Sequence, residues 1–319
     1  MARWAPRMPV GEIAFWCVAV AVLFIFPNNL SLASSIAIMS LFAVSLDLVL
    51  GFAGIVTLGH ALYFGAGAYS AAWIALAGWT DPLLGLVLAG LAAAVLSGFV
   101  GYVLLRLNGL PLIMVTLVVG LIGYEAANKA TPWTGGDNGL SDLAVAPIFG
   151  IFKWSVYGKV EYVYTLAILF IGFQIAKRIV HSPFGLALRG IHENPVRMAL
   201  LGAPVRMHLL KAYICSAFLA GVAGALTAHT TRFVGLDVLS MTTSVDVLVM
   251  LVLGGVGVLY GAITGASVYI VVHHFAAEWN PYHWMFIIGA LLMAVVRFGK
   301  GGVVGAFKML ASKLRRAAP

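Results

Sequence analysis

Charged residues are scarce in this 319-residue sequence. Asp, Glu, Lys and Arg make up 9% of the chain, against about 25% in a typical soluble domain. Hydrophobic residues make up 62%, against roughly 45–50%. This imbalance excludes an ordinary soluble protein, because no single core could bury so much apolar surface. The alternating pattern of a membrane β-barrel is also missing, so the sequence predicts an all-α, polytopic transmembrane helix bundle.

Groups that could form disulfides or bind metals are few. The two cysteines, Cys17 and Cys215, are far apart and lie inside apolar runs, which is typical of small buried side chains. His273 and His274 are adjacent, and adjacent side chains on a helix point about 100° apart. We therefore predict no metal site and no cofactor bound by this chain.

The motif for nucleotide binding is missing as well. A P-loop needs G-x-x-x-x-G-K-[ST], and no Gly-Lys pair in the chain has a Gly at the required upstream spacing. The net charge of +8 does not indicate nucleic acid, because Lys and Arg lie at the ends of apolar runs, where membrane topology places them. The chain is expected to bind no ATP and to be no enzyme.

About ten apolar segments can cross a bilayer, whose hydrocarbon core of about 30 Å needs about 20 helical residues. Residues 51–60 (GFAGIVTLGH) are too short and Gly-rich for a separate span, and we interpret them as a bent or re-entrant piece buried in protein. Residues 1–319 are interpreted as one transmembrane domain. The predicted spans are residues 11–27, 30–50, 61–79, 83–106, 110–128, 161–180, 209–229, 242–257, 259–275 and 283–298.

The positive charges are distributed unevenly between the two sides of these spans. With the N-terminus in the cytoplasm, fifteen of the nineteen Lys and Arg residues lie on the inner side. Cytoplasmic loops carry the excess of positive charge in membrane proteins. We therefore expect both termini in the cytoplasm, a cytoplasmic loop at about 181–208 and an external loop at about 129–160.

The stretch SPFGLALRGIHENPVRMALLGAPVR (182–206) is a polar island among apolar runs. Its start and stop signals predict two short helices, each with an N-cap residue, a Pro in the first position and a Gly at the end. These residues are Ser182, Pro183 and Gly190 for the first helix, and Asn194, Pro195 and Gly202 for the second.

Helices of about two turns are not stable alone in water, so both must pack on something. Val196, Ala199 and Leu200 share one face of the second helix. Two interpretations remain open at this point. The island is either a capped loop that lies on its own bundle, or a docking element for a soluble partner.

Two stretches of the sequence echo each other. SLDLVLGFAG (45–54) and SVDVLVMLVLGGVG (244–257) both have Ser-x-Asp before Gly-x-x-Gly, with different spacing. Transporter halves often show such internal symmetry, so we interpret the pair as a candidate repeat.

Four stretches, in matching order over most of the chain, resemble one family. GLALRGIHENPVRMALLG (185–202) is similar to the cytoplasmic coupling loop of ABC-importer permeases, and its "ALRGIHENP" version to branched-chain amino acid permeases of the LivM family. The other three stretches are LDLVLGFAGIVTLGHALYFGAGAY (46–69), TGGDNGL (134–140) and KAYICSAFLAGVAGAL (211–226).

The resemblance implies a non-catalytic permease subunit in a bacterial inner membrane. It would work with a second, LivH-like permease, two LivG/LivF-like ATPases that use ATP, and a periplasmic substrate-binding protein. The implied substrates are leucine, isoleucine and valine, although related permeases carry urea, amides or sugars. The implied ATPase-coupling residues are Gly185, Arg189, Gly190, His192, Glu193, Asn194, Pro195, Ala199 and Gly202.

Residues of a translocation pathway are less clearly marked. Thr57, His60 and Tyr63 are the polar groups in the otherwise apolar stretch 46–69 and could serve a zwitterion. Asp47 stands where the family pattern has Asn, and Thr57 where Ser is more usual. Asp47 is expected near a span end and exposed to solvent, unless it faces the pathway.

A second class of function stays open from the residues. A self-sufficient secondary transporter or channel would need ionisable groups at mid-membrane, and Asp246 is the best candidate for such a proton relay. The pair of capped cytoplasmic helices favours the partner-driven permease, since a carrier has no need of them.

Overall fold

The computed structural model describes residues 10–25, 29–141, 143–147, 158–279 and 284–298, together with positions 302 and 305. Within those residues the chain forms thirteen α-helices and no β-strand. The helices are α1 Val10–Ile25, α2 Leu30–Asp47, α3 Ala61–Leu76, α4 Pro82–Leu104, α5 Leu110–Lys129, α6 Thr131–Thr134, α7 Lys159–Val180, α8 Pro183–Glu193, α9 Pro195–Leu200, α10 Val205–Thr231, α11 Met241–Gly254, α12 Leu259–Trp279 and α13 Trp284–Phe298.

A polytopic helical membrane bundle is confirmed, but the count of about ten spans is not. A helix lies at each of the ten predicted segments, and among the described residues six are long and apolar enough to cross a membrane. The end of the first predicted span and part of the external loop lie outside the described residues. The six spanning stretches are Leu30–Phe52, Pro82–Leu104, Leu110–Lys129, Lys159–Val180, Val205–Thr231 and Leu259–Glu278.

Two of the other helices are short because the chain breaks beside them. A π-helical turn, Leu48–Phe52, extends α2, and the following segment to His60 is not helical. With 16 residues, α3 measures about 24 Å, less than the bilayer core. Residues 255–258 likewise separate the 14-residue α11 from α12. Residues 53–60 of the segment predicted to be a bent or re-entrant piece are not helical and lie between α2 with its π-helical turn and α3.

Small residues hold the centre of the bundle together. Helix α10 packs closely on α3 and α4, and Ala217, Gly221 and Ala225 on α10 are fully buried. A Cβ added at Gly224 would lie 2.9 Å from the backbone nitrogen of Ala68. In lipid, such small faces allow helices to approach closely.

Contacts at the two ends of the bundle show which segments lie together. Leu140, in the predicted external loop, exchanges backbone hydrogen bonds of 2.8 and 3.0 Å with Val234, just after α10. At the other end, the guanidinium groups of Arg106 and Arg206 both lie 5.3 Å from the ring centre of Tyr102. The second end carries α8 and α9, and we refer to it as the α8–α9 end.

Candidate functional site

The predicted caps of the two short helices are present. The Ser182 hydroxyl accepts a hydrogen bond from the Gly185 N–H at 3.3 Å. The Asn194 side-chain oxygen accepts one from the Arg197 N–H at 2.9 Å. A proline follows each cap, at a position where its missing N–H costs nothing. The sequence therefore defines where each helix starts.

The predicted end of the first helix is wrong. Helix α8 continues through Gly190 to Glu193, because glycine inside a helix is tolerated at a cost of about 1 kcal/mol. Gly190 instead makes room for α9: a Cβ there would lie 2.8 Å from the sulfur of Met198. The glycine is a packing position and not a stop signal.

The predicted end of the second helix is right. Gly202 has φ of +84°, a conformation that favours glycine. The Gly202 N–H donates to the Ala199 carbonyl at 3.0 Å, and the Ala203 N–H donates to the Met198 carbonyl at 3.1 Å. These two bonds form a Schellman motif, so Gly202 satisfies carbonyls that the helix end would leave without partners.

Helices α8 and α9 differ in how they meet the bundle. Helix α8 buries Leu188 and Ile191, as expected of a loop that lies on its own bundle. Helix α9 buries no residue, and Val196 and Leu200 on it and Leu201 just after it are exposed. The exposed fractions are 68% for Val196, 84% for Leu200 and 73% for Leu201. Clustered exposed apolar side chains mark interaction sites, so α9 fits the docking interpretation.

Helix α8 rests on the first helix break. The Arg189 guanidinium lies 5.1 Å from the ring centre of Phe52 at the end of the π-helical turn. Gly54, with φ of +73°, lies against His192, and a Cβ at Gly54 would be 2.7 Å from His192 Cδ2. A displacement of α8 would therefore act directly on the break.

A buried polar cluster lies beyond the break, centred on His60. The Ser45 hydroxyl donates to the Phe42 carbonyl at 2.6 Å, and the Ser216 hydroxyl donates to the Ser45 carbonyl at 2.5 Å. His60 Nε2 lies 3.0 Å from Ser45 Oγ. Since both hydroxyl protons are already used, Nε2 donates to Ser45 Oγ and Nδ1 is an acceptor. Nδ1 is buried and has no hydrogen-bond partner among the described residues.

Thr57 and Tyr63 belong to the same buried region. Thr57 Oγ1 accepts from the Gly59 N–H at 3.3 Å, and the hydroxyls of Tyr63 and Tyr213 lie 3.0 Å apart. The sequence missed Tyr213, as it missed Ser45 and Ser216, because their roles depend on contacts between distant parts of the chain. Periodicity alone identifies α10 as a helix but does not show which face meets α3.

The sequence led us to expect Asp47 to be exposed to solvent. The structure instead buries it, with an exposed fraction of 0%. Its Oδ1 accepts a hydrogen bond of 2.7 Å from the Gly257 N–H, which lies in the second helix break. Its Oδ2 is buried without a hydrogen bond among the described residues. Gly51 also lies in this contact, since a Cβ there would be 2.6 Å from the Gly257 nitrogen. The two echoing sequence stretches thus meet in space.

Asp246 lies elsewhere. It accepts a hydrogen bond of 2.6 Å from the Tyr269 hydroxyl and lines a cavity of about 280 Å³ between α11, α12 and α13. Thr57, His60 and Tyr63 lie in one buried region and Asp47 is buried where the two breaks meet, whereas Asp246 faces this separate cavity.

Comparisons with known proteins agree with this architecture. Residues 28–296 match the family described as branched-chain amino acid transport system / permease component. The chain is 27% identical over 310 residues to the Escherichia coli K12 protein named high-affinity branched-chain amino acid transport system permease protein LivM, covering 89% of this chain and 72% of that one. It is 28% identical over 311 residues to the LivM of Salmonella typhimurium LT2, with the same coverage. No solved structure matches at a significant level. The chain belongs to the family of branched-chain amino acid transport permease components.

Proposed function

We propose that this chain is the permease subunit of an ABC importer for branched-chain amino acids, driven by separate ATPase subunits that dock on α9. The observation that carries the proposal is the exposure of Val196, Leu200 and Leu201 on a helix whose two ends are both capped. A capped helix with an unburied apolar face suits insertion into a groove of a partner.

The substrate class follows from the relatives. Their names specify branched-chain amino acid transport, and the alignments cover 89% of this chain and 72% of each relative. A second permease subunit of LivH type, two ATPases of LivG and LivF type and a periplasmic binding protein complete the proposed complex. The excess of positive charge at the α8–α9 end supports its cytoplasmic location and an inner-membrane protein with cytoplasmic termini.

The contacts suggest how ATPase movement reaches the membrane. Helix α9 is joined to α8 through Met198 against Gly190. Helix α8 contacts the first break at Phe52 and Gly54, and Asp47 joins the first break to the second through Gly257. Unwound segments inside transporters are places where helices can bend around a substrate site. A shift of α9 would therefore change the position of the first helix break relative to the second.

Reconstitution tests the proposal. The chain is placed in proteoliposomes alone and together with the partner permease, the ATPases and the binding protein, and uptake of radiolabelled leucine is measured. Uptake should require ATP and every partner. Uptake by the isolated chain driven by a proton gradient would instead support a secondary transporter, with Asp246 as its relay. A complex that takes up urea or a sugar and not leucine would overturn the substrate assignment.

A further inference from the structure

A cavity of about 360 Å³ lies at the α8–α9 end, separate from the His60 cluster. It is open on one side and is lined by the start of α1, Phe52, the end of α7, α8 and the second helix break. Its volume is that of a small-molecule site, and such sites combine mostly apolar walls with a few polar groups that orient the ligand. The groups around this cavity follow that plan.

An ion pair with one unsatisfied oxygen lies in the wall. Lys177 Nζ and Glu12 Oε2 are 2.5 Å apart, and their side chains are 9% and 1% exposed. The other carboxylate oxygen, Glu12 Oε1, is buried without a well-formed hydrogen bond among the described residues, although the Tyr260 hydroxyl and the Gln174 amide lie close by. A buried carboxylate oxygen without a donor is unfavourable, so Oε1 offers a position for a cationic donor.

A second charge lies on α8. Arg189 lines the cavity and is solvent-exposed, and its guanidinium lies against Phe52. It is absent from the ion pairs of the described residues, which are Lys177–Glu12 and His274–Glu278. An exposed arginine that takes part in no ion pair can bind a carboxylate through two parallel hydrogen bonds. The apolar residues that line the cavity include Phe173, Val180 and Leu259.

We propose that this cavity binds a free zwitterionic aliphatic amino acid from the α8–α9 side. The ammonium group would donate to Glu12 Oε1, the carboxylate would accept from Arg189, and the aliphatic side chain would lie against the apolar wall. An anionic lipid headgroup fits less well, because its phosphate could accept from Arg189 but would bring no donor to Glu12 Oε1. The identity of the ligand as leucine, isoleucine or valine rests on the proposed function.

Occupancy would have a mechanical consequence. The ligand would connect α8 to α1, α7 and the second break, which are the elements that line the cavity. Since α8 is also the link between α9 and the first break, a bound amino acid would hold it against the bundle. The site therefore fits inhibition of import by its own accumulated product.

Cysteine protection measures binding in this cavity. In the complete complex, without the binding protein and with Cys17 and Cys215 replaced by Ala, a cysteine is introduced at Val258, which lines the cavity. Leucine should slow its reaction with a maleimide about 10-fold at saturation. A cysteine at Met207, which is 53% exposed and outside the lining, is the control and should react at one rate throughout.

Variants connect the protection to the charged groups. Arg189→Gln and Glu12→Gln should each raise the leucine concentration needed for protection at least about 10-fold, the loss expected for one charge-assisted hydrogen bond. Arg178→Gln, next to Lys177 but exposed and outside the lining, is the matched control and should change nothing. Isopentylamine and isocaproate, which each lack one of the two charges, should protect poorly.

The outcomes separate the two proposals. Leucine uptake by the complex without protection of Val258→Cys overturns the site and leaves the permease assignment standing. Protection without leucine uptake supports the site and overturns the substrate assignment. Protection that persists in both charge variants, or that follows the lipid composition and not leucine, means that the cavity is no amino acid site.

Discussion

Replacing Gly202 by Val tests whether the end of α9 matters for coupling. Gly202 has φ of +84°, and an added Cβ would meet nothing within 4 Å. The substitution therefore causes no steric clash, and its cost is the backbone conformation alone. For a residue with a Cβ, the left-handed conformation costs about 1–2 kcal/mol, and a β-branched side chain lies at the unfavourable end of that range.

That cost is large for α9 and small for the bundle. Helix α9 has six residues and buries none of them, so little else holds it in place. A change of one to two kcal/mol shifts an order–disorder equilibrium by a factor of about 5–30. We expect Gly202→Val to insert and express normally while uptake per ATP hydrolysed falls several-fold in the reconstituted complex.

Two control variants test whether the backbone conformation at the end of α9 is the cause of the expected loss of coupling. Gly202→Asn keeps a residue that tolerates this conformation, so coupling should remain close to that of the wild type. Gly78 has φ of +89° and nothing within 4 Å, and it lies between α3 and α4 at the opposite end. Gly78→Val thus carries the same backbone cost away from α9 and should leave coupling intact. Wild-type coupling in Gly202→Val, or equal losses in Gly202→Asn, would refute the reasoning.

Three further predictions follow from other contacts. Gly190→Val displaces Met198, whose sulfur would be 2.8 Å from the new Cβ. Because the Met198 side chain is flexible and can move, coupling measured in the same assay should fall less than in Gly202→Val. A greater fall would contradict this. Glu12→Ala leaves the buried Lys177 without its partner, which should cost roughly 3–5 kcal/mol of stability and lower the melting temperature of the solubilised protein. The double variant Glu12→Met with Lys177→Met should recover most of that stability. An unchanged melting temperature in Glu12→Ala would show that the pair is not buried in the membrane protein. A cysteine at Arg197 should react with impermeant maleimide only from the cytoplasmic side, and labelling of intact sealed cells would overturn the orientation.

Local signals in the sequence were sufficient for the starts of α8 and α9 and for the end of α9. Ser182, Asn194 and Gly202 act within a few residues of themselves, so their roles are visible without a structure. Gly190 was misread because its function is to accommodate Met198 from the next helix. A glycine that permits close packing and a glycine that ends a helix cannot be distinguished in the sequence. Only the residue that packs against the glycine in the structure shows which role it has.

The buried centre was less accessible to prediction. Asp47 meets Gly257 across 210 positions of sequence, and His60 meets Ser216 on α10 across 156. An aspartate near the end of an apolar run is usually solvated, but the second helix break covers this one. The echo between 45–54 and 244–257 was the one sequence feature that related the two breaks, and it did not show that they touch.

Asp47 also limits what the buried cluster can do in this conformation. Asp47, Thr57, His60 and Tyr63 are all enclosed by the chain, so a passing zwitterion could reach them only after the surrounding segments move apart. Their assignment to the translocation pathway stays a prediction.

The central claim is that a separate ATPase docks on α9, and site-specific photocrosslinking tests it most directly. A benzoylphenylalanine at Leu200, the most exposed apolar side chain of α9, is irradiated in membranes that contain the complete complex. The same probe at Trp79, which is 62% exposed at the opposite end, is the control. We predict an adduct with the mass of this chain plus an ATPase subunit from Leu200 and none from Trp79. An ATPase adduct from Trp79, or no ATPase adduct from Leu200 in a complex that transports, would contradict the account.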